Sequence, residues 1–238
     1  MLVVACLVVA YACLYVMARV VSWALFDVTG IELRGVSDRW AFVACIVVSA
    51  TLFILVVDTT IAGRLPRPRL RRLLTFMAAV LFLGIAIEIS LNAATVTLIG
   101  RKSWEYRVWP RHHGYTSGVA AFMWPLYGAH LCLLEEALRI RGRLPQRQLL
   151  RSLLGGVDAM TMEIACNAWA IGAFGTYYFY YLAPDLLHLS AAEIFVPYVF
   201  ANLLLARVVR AVEGAGARWW LWCVVLAGSA LSALFLWG

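Results

Sequence analysis

Seven apolar runs alternate with short polar segments along the chain, at about 2–26, 40–62, 73–99, 117–138, 149–174, 187–210 and 217–237. Each is long enough for a tilted helix of about 20 residues, the length that crosses a hydrocarbon layer of roughly 30 Å. Hydrocarbon offers backbone amides no partner, so apolar runs of this length predict helices. The pattern predicts an all-α, polytopic membrane bundle of about seven transmembrane helices, built as one membrane domain over 1–238. Within it we expect an N-terminal two-span segment over 1–66, one hairpin over 73–140, a second over 148–212 and a last span over 217–237. No basic segment precedes the first run, and no convincing cleavage site follows it, so it reads as an uncleaved span.

Two polar pairs break the apolar pattern from within. Glu88-Ile-Ser-Leu-Asn92 and Glu163-Ile-Ala-Cys-Asn167 each set a carboxylate and an amide one helical turn apart, and the copies lie 75 residues apart. An ionisable group in a membrane helix is costly and marks a functional site by default. Glu88, Ile89, Asn92, Ala93 and Gly100 match Glu163, Ile164, Asn167, Ala168 and Gly175 at constant offset. Each unit continues into an aromatic loop and then a helix with Pro before Tyr: Pro125 and Tyr127, then Pro197 and Tyr198. A two-span unit returns to its starting side, so the two hairpins read as parallel repeats rather than inverted ones.

Depth follows from the rise of about 1.5 Å per residue. Glu88 lies about 15 residues beyond the inner end of its run, Glu163 about 14, and Glu193 about six residues in from the opposite side. The three carboxylates are therefore expected to converge in the outer half of the bilayer, a setting suited to acid–base catalysis. Asn92 and Asn167 would orient them, and Trp104, Tyr106, Tyr127, Tyr177 and Tyr198 would bound a substrate pocket. Aromatic faces stabilise cations, and aromatic residues also populate membrane interfaces. A structural alternative stands beside this: each Glu–Asn pair hydrogen-bonds across helices and holds the bundle together.

Composition agrees with the pattern. Hydrophobic residues make up 64% of the 238-residue chain, well above the roughly one-half of a soluble domain. The net charge is +7, and all but one of the 20 basic residues are Arg. They sit at helix ends rather than in one patch, which excludes a nucleic-acid surface. The second, fourth and sixth loops hold 13 of them and the other side seven, a bias that predicts a cytoplasmic N-terminus and an external C-terminus in a cytoplasmic or inner membrane.

The remaining polar residues suggest simpler roles. Glu135 and Glu136 stand one turn before Arg139 and suit helix-surface ion pairs. Asp58 and Asp158 lie nearer the inner side, within reach of loop arginines. His112 and His113 suit a solvated loop, His130 a satisfied buried position, and His188 the outer interface near Glu193. The six cysteines fall in apolar runs without a CxxC pair. No HExxH, glycine-rich phosphate loop or nucleophile elbow is present, so neither metal nor cofactor is expected.

Gly114-Tyr115-Thr116-Ser117, Leu126-Tyr127-Gly128, Glu135, Leu138-Arg139-Ile140-Arg141-Gly142-Arg143, Glu163 and Ala192-Glu193-Ile194-Phe195-Val196-Pro197-Tyr198 together resemble the transmembrane protein 229 family. That family is grouped with bacterial membrane proteins labelled ABC-transporter permease, type IV, and the resemblance covers about 75–210. It implies a permease-like role. The family's Trp-Asp-Tyr loop aligns with Tyr177-Tyr178-Phe179, so its loop Asp is absent, whereas Trp104-Glu105-Tyr106 carries such a triplet in the first hairpin. A fainter resemblance, to membrane carotenoid cyclases and hydratases, rests on an aromatic-x-Tyr loop followed by a helix carboxylate; their Pro-x-Glu-Glu signature is missing.

The expected function is an intramembrane carboxylate and aromatic site that binds or acts on a hydrophobic substrate, lipid or isoprenoid. A permease-like transporter subunit or carrier, and a non-catalytic scaffold, are the alternatives. The expected partners are membrane lipids, a hydrophobic small molecule, and another membrane protein or a second copy of the chain.

Overall fold

The computed structural model describes residues 39–183 and 185–236. The run expected at 2–26 lies outside them. The described part is all-helical: α1 Arg39–Ala62, α2 Leu70–Ile99, α3 Ala120–Ile140, α4 Gln148–Phe174, α5 Phe195–Gly214 and α6 Trp219–Leu236. Among the described residues, four segments are long and apolar enough to cross a membrane: Arg39–Ala62, Leu70–Ile99, Ala192–Gly214 and Gly216–Leu236. The helices α3 and α4 are long enough but more polar, carrying His130, Glu135 and Glu136, and Asp158, Glu163 and Asn167 respectively. The helix at the centre is α2, which packs against α3, α5 and α6, while α4 packs on α5 and α1 on α3.

Two expected helix starts move. Thr116–Ser117 pairs as a strand (β3) with Pro110–Arg111 (β2), so α3 begins at Ala120 rather than near 117. Residues 185–188 and 192–194 form short 3-10 turns, and the Asp185 carboxylate accepts the Ala192 N–H at 2.8 Å, so α5 begins at Phe195 rather than 187.

At the other end of α2 and α4, glycine sets the exit. Gly100 (φ 76°) and Gly175 (φ 69°) close their helices in the left-handed conformation, each N–H bonding the carbonyl four residues back. A Cβ is disfavoured there, so glycine is the residue that ends both helices cleanly. Each exit then feeds a short strand: β1, Trp104–Tyr106, and β4, Phe179–Tyr181.

Ion pairs fasten the arginine-rich end. Arg72 of α2 reaches Glu135 of α3 at 2.7 Å and Glu213 of α5 at 2.9 Å. Glu135 thus pairs across helices rather than with Arg139, while Glu136 does pair with Arg139. Between α2 and α3 the backbones approach closely at Gly128, where an added Cβ would stand 2.7 Å from the Phe76 carbonyl oxygen and 2.8 Å from Met77 Cα. Backbone cannot swing aside as a flexible side chain can. We expect Gly128→Ala to lower stability by about 2 kcal/mol through overpacking, read as an earlier unfolding midpoint in mixed-micelle denaturation; an unchanged midpoint would contradict this packing.

Candidate functional site

Glu88 and Glu163 stand at the same level of their helices and are held by matching partners. On α2, Glu88 Oε1 accepts from the Tyr106 hydroxyl, 18 residues on, and Oε2 accepts from Thr116 Oγ1 at 2.5 Å, 28 residues on. On α4, Glu163 Oε1 accepts from the Tyr181 hydroxyl at 2.6 Å, again 18 residues on, and Oε2 accepts from Ser190 Oγ at 2.7 Å, 27 residues on. Glu163 also accepts from the Tyr198 hydroxyl of α5. In both cases the chain leaves the helix through a left-handed glycine and returns a tyrosine onto the carboxylate below.

The two asparagines repeat the correspondence one turn higher. Asn92 Oδ1 accepts the Ser103 N–H at 3.0 Å, 11 residues on, and its Nδ2 donates to the carbonyls of Trp104 and Tyr115 at 3.3 and 3.4 Å. Asn167 Oδ1 accepts the N–H groups of Tyr178, 11 residues on, and Phe179 at 3.1 and 3.2 Å, and its Nδ2 donates to Leu189 O at 2.9 Å. Both side chains are fully buried. Their amides are used to anchor the loops, and neither hydrogen-bonds its glutamate, which corrects the orienting role expected from their spacing.

The anchored loops join each other. The strands β1 and β4 pair antiparallel, Trp104 with Tyr181, Glu105 with Tyr180 and Tyr106 with Phe179. Edge-to-face contacts of Tyr106 with Tyr178 (5.3 Å) and Phe179 (5.6 Å) fill the layer beneath. This aromatic roof covers a cavity of about 110 Å³ between α1, α3 and α4. One water needs roughly 10–15 Å³ of such space, so this is more than a packing defect. Its walls are mainly apolar, with Phe53, Met123, Met162 and Trp169 among them, and Glu88 and Glu163 both open onto it. A smaller cavity of about 40 Å³, lined by Leu91, Trp104 and Pro197, is bordered by the same two carboxylates.

Burial, together with the carboxylate each touches, pushes the phenols of Tyr106 and Tyr181 well above the usual tyrosine range. They remain protonated at neutral pH and serve as hydrogen-bond donors to the two carboxylates.

Of the residues singled out in the sequence, Glu88, Glu163, Tyr106, Tyr127 and Tyr198 line the main cavity, and Trp104 lines the smaller one. Glu193 does not join them: it is exposed on the turn before α5, in a surface depression with Arg101 and Lys102. The helical depth assigned to it assumed a helix that has not yet begun. Tyr177 is also apart, donating to Leu187 O at 3.2 Å. Its expected place belongs to Tyr181, which Tyr106 predicts once the 75-residue offset is carried past Gly175 into the loop. Thr116 and Ser190, the other carboxylate donors, carry no comparable signal.

A second polar cluster lies nearer the arginine-rich end. His130 of α3 sits between Asp58 of α1 and Asp158 of α4, its Nδ1 3.1 Å from Asp58 Oδ2 and its Nε2 3.1 Å from Asp158 Oδ1. The Tyr127 hydroxyl donates to Asp158 Oδ2 at 3.0 Å. Neither aspartate takes the loop-arginine partner expected of it. Asp58 and His130 are buried.

No known protein family, curated protein or solved structure matches the chain. Fold and site alone define it: among the described residues, an all-helical arrangement with four helices fit to cross a membrane, and a two-carboxylate site lined by aromatic residues.

Proposed function

We propose that this is an integral membrane protein that holds a hydrophobic amphiphile, a lipid or isoprenoid, in its main cavity and uses Glu88 and Glu163 for acid–base chemistry on it. The observation that carries this reading is the pairing of two hydroxyl-bonded carboxyl groups with a largely apolar cavity. The apolar walls suit a hydrocarbon body. The carboxyl groups suit proton transfer at its reactive or polar end, and the aromatic roof excludes water and faces any positive charge that develops.

In this reading the protein crosses the membrane seven times, with the arginine-rich loops in the cytoplasm, the aromatic roof outside and the N-terminus cytoplasmic. The hairpins α2–α3 and α4–α5 are parallel repeats. Supporting this are the shared partner separations of 18 residues at the glutamates and 11 at the asparagines. Also supporting it is the β1–β4 register, whose middle pair joins residues in equivalent positions, Glu105 and Tyr180.

Native mass spectrometry and lipid extraction of the purified protein test the proposal. Wild type should retain an amphiphile. Glu163→Gln should lower its occupancy about tenfold, the effect of losing a hydrogen bond to a charged group. Absence of any bound amphiphile from wild type would sink the reading.

The second cavity favours one alternative, a carrier, because the carboxylates border two spaces rather than one. A carrier moves labelled solute into proteoliposomes without converting it, whereas the leading reading requires a changed product.

A further inference from the structure

We infer that Asp58, His130, Asp158 and Tyr127 form a proton relay that runs from the inner end of α1 to the main cavity. The inference rests on the proposed acid–base role of the cavity carboxylates and says where their protons come from.

The geometry is a continuous file. It begins at Asp58, one turn from the end of α1 at Ala62, beside the loop that carries Arg64, Arg67 and Arg69. It runs through the two ring nitrogens of His130, each 3.1 Å from a carboxylate oxygen, to Asp158. It ends at the Tyr127 hydroxyl, 3.0 Å from Asp158, and Tyr127 lines the cavity onto which Glu163 opens. Asp158 stands five residues before Glu163 on the same helix, roughly 7–8 Å along its axis.

Structural stabilisation alone explains this cluster poorly. Two carboxylates flank one imidazole, so even a protonated His130 leaves a net negative charge, and a buried charge without a partner is expensive. Asp58 is fully buried, yet its Oδ1 has no hydrogen-bond partner among the described residues. The groups facing His130 are Asp58 from α1, Asp158 from α4 and Tyr127 on its own helix; Tyr198 of α5 faces Tyr127. None of these is a lysine or arginine, so a proton is the cation available to balance the cluster. Chains of carboxyl and imidazole groups inside membrane proteins are suited to moving protons.

The steps balance. A proton on Asp58 Oδ2 passes to His130 Nδ1, and His130 releases the proton on Nε2 to Asp158 Oδ1. The Tyr127 O–H, which donates to Asp158 Oδ2 at rest, first turns toward the cavity; Asp158 then turns its carboxyl group and gives a proton to the Tyr127 oxygen as the phenol releases its own into the cavity. Each hop breaks one O–H or N–H bond and forms another; one proton moves and no electron does. Rotation of the imidazole, carboxyl and hydroxyl groups resets the file.

The test follows protonation of Glu163 by time-resolved infrared spectroscopy of the full chain after a pH jump, its carbonyl band assigned by its loss in Glu163→Gln. His130→Gln and Tyr127→Phe should each slow the appearance of that band by about a hundredfold, the low end of what a positioned proton-transfer group contributes. Tyr127→Phe keeps the ring and its packing, so it reports on the relay where the histidine variant does not fold. Unchanged rates in Tyr127→Phe, or a Glu163 that never titrates, would overturn the relay. Amphiphile occupancy is read separately, in the same preparations by native mass spectrometry. A relay without bound amphiphile rejects the substrate reading alone, and amphiphile without a slowed band rejects the relay alone.

Discussion

Asn167→Ala should lower stability by about 3–5 kcal/mol, since each buried polar group left unsatisfied costs roughly 1–3 kcal/mol. The side chain is fully buried and satisfies three backbone groups at once, the N–H of Tyr178, the N–H of Phe179 and the carbonyl of Leu189. Alanine offers no donor or acceptor to replace the amide. The loss should reach further than the loop, because Phe179 pairs with Tyr106, and Tyr181 of the same strand donates to Glu163. Asn92→Ala should show the same effect at smaller size. Its two amide donations span 3.3 and 3.4 Å, against 2.9 Å for the single one at Asn167. Unfolding midpoints of the two variants in mixed micelles check the prediction; a larger loss at Asn92, or none at Asn167, would show that these amides do not anchor the roof.

That anchoring role was only half legible in the sequence. The spacing of Glu88 with Asn92 and of Glu163 with Asn167 marks matched polar positions, because four residues is about one turn of an α-helix. It does not say what each group meets, since the partners come from loops whose course no helical period encodes. Tyr106 and Tyr181 are recoverable by extending the offset of 75 residues, which survives into the loops because β1 and β4 occupy equivalent positions. Glu193 misleads for the complementary reason. The apolar run around it reads as helix from 187, but turns braced by Asp185 delay the helix until Phe195 and leave the carboxylate outside. The cluster at His130 is harder still. Asp58, His130 and Asp158 come from three helices, and only tertiary packing brings them together. Apolar length identifies the helices well, because the bilayer imposes it directly; polar convergence has no such one-dimensional trace.

Glu163→Ala should lower stability by about 3 kcal/mol, whereas Glu163→Gln should lower it by about 1 kcal/mol or less. The alanine variant leaves three hydroxyls, those of Tyr181, Tyr198 and Ser190, facing a space without an acceptor. Glutamine keeps one acceptor oxygen at nearly the same place. The hydroxyls around it can rotate to accept from its amide, because an O–H group is both donor and acceptor. The pair of variants therefore separates two roles that one carboxylate would otherwise confound. If Glu163 were only a brace, Glu163→Gln would keep both the fold and any bound amphiphile. If it carries the acid–base step, Glu163→Gln keeps the fold and loses the chemistry, because a carboxamide has no acid or base form that titrates near neutral pH. The same comparison at Glu88 should give smaller stability losses, since Glu88 accepts from two hydroxyls, of Tyr106 and Thr116, rather than three. Denaturation midpoints and amphiphile occupancy measured on one preparation decide between the roles. A glutamine variant as stable as wild type that also keeps its bound amphiphile would assign Glu163 to the framework of the protein instead of its chemistry.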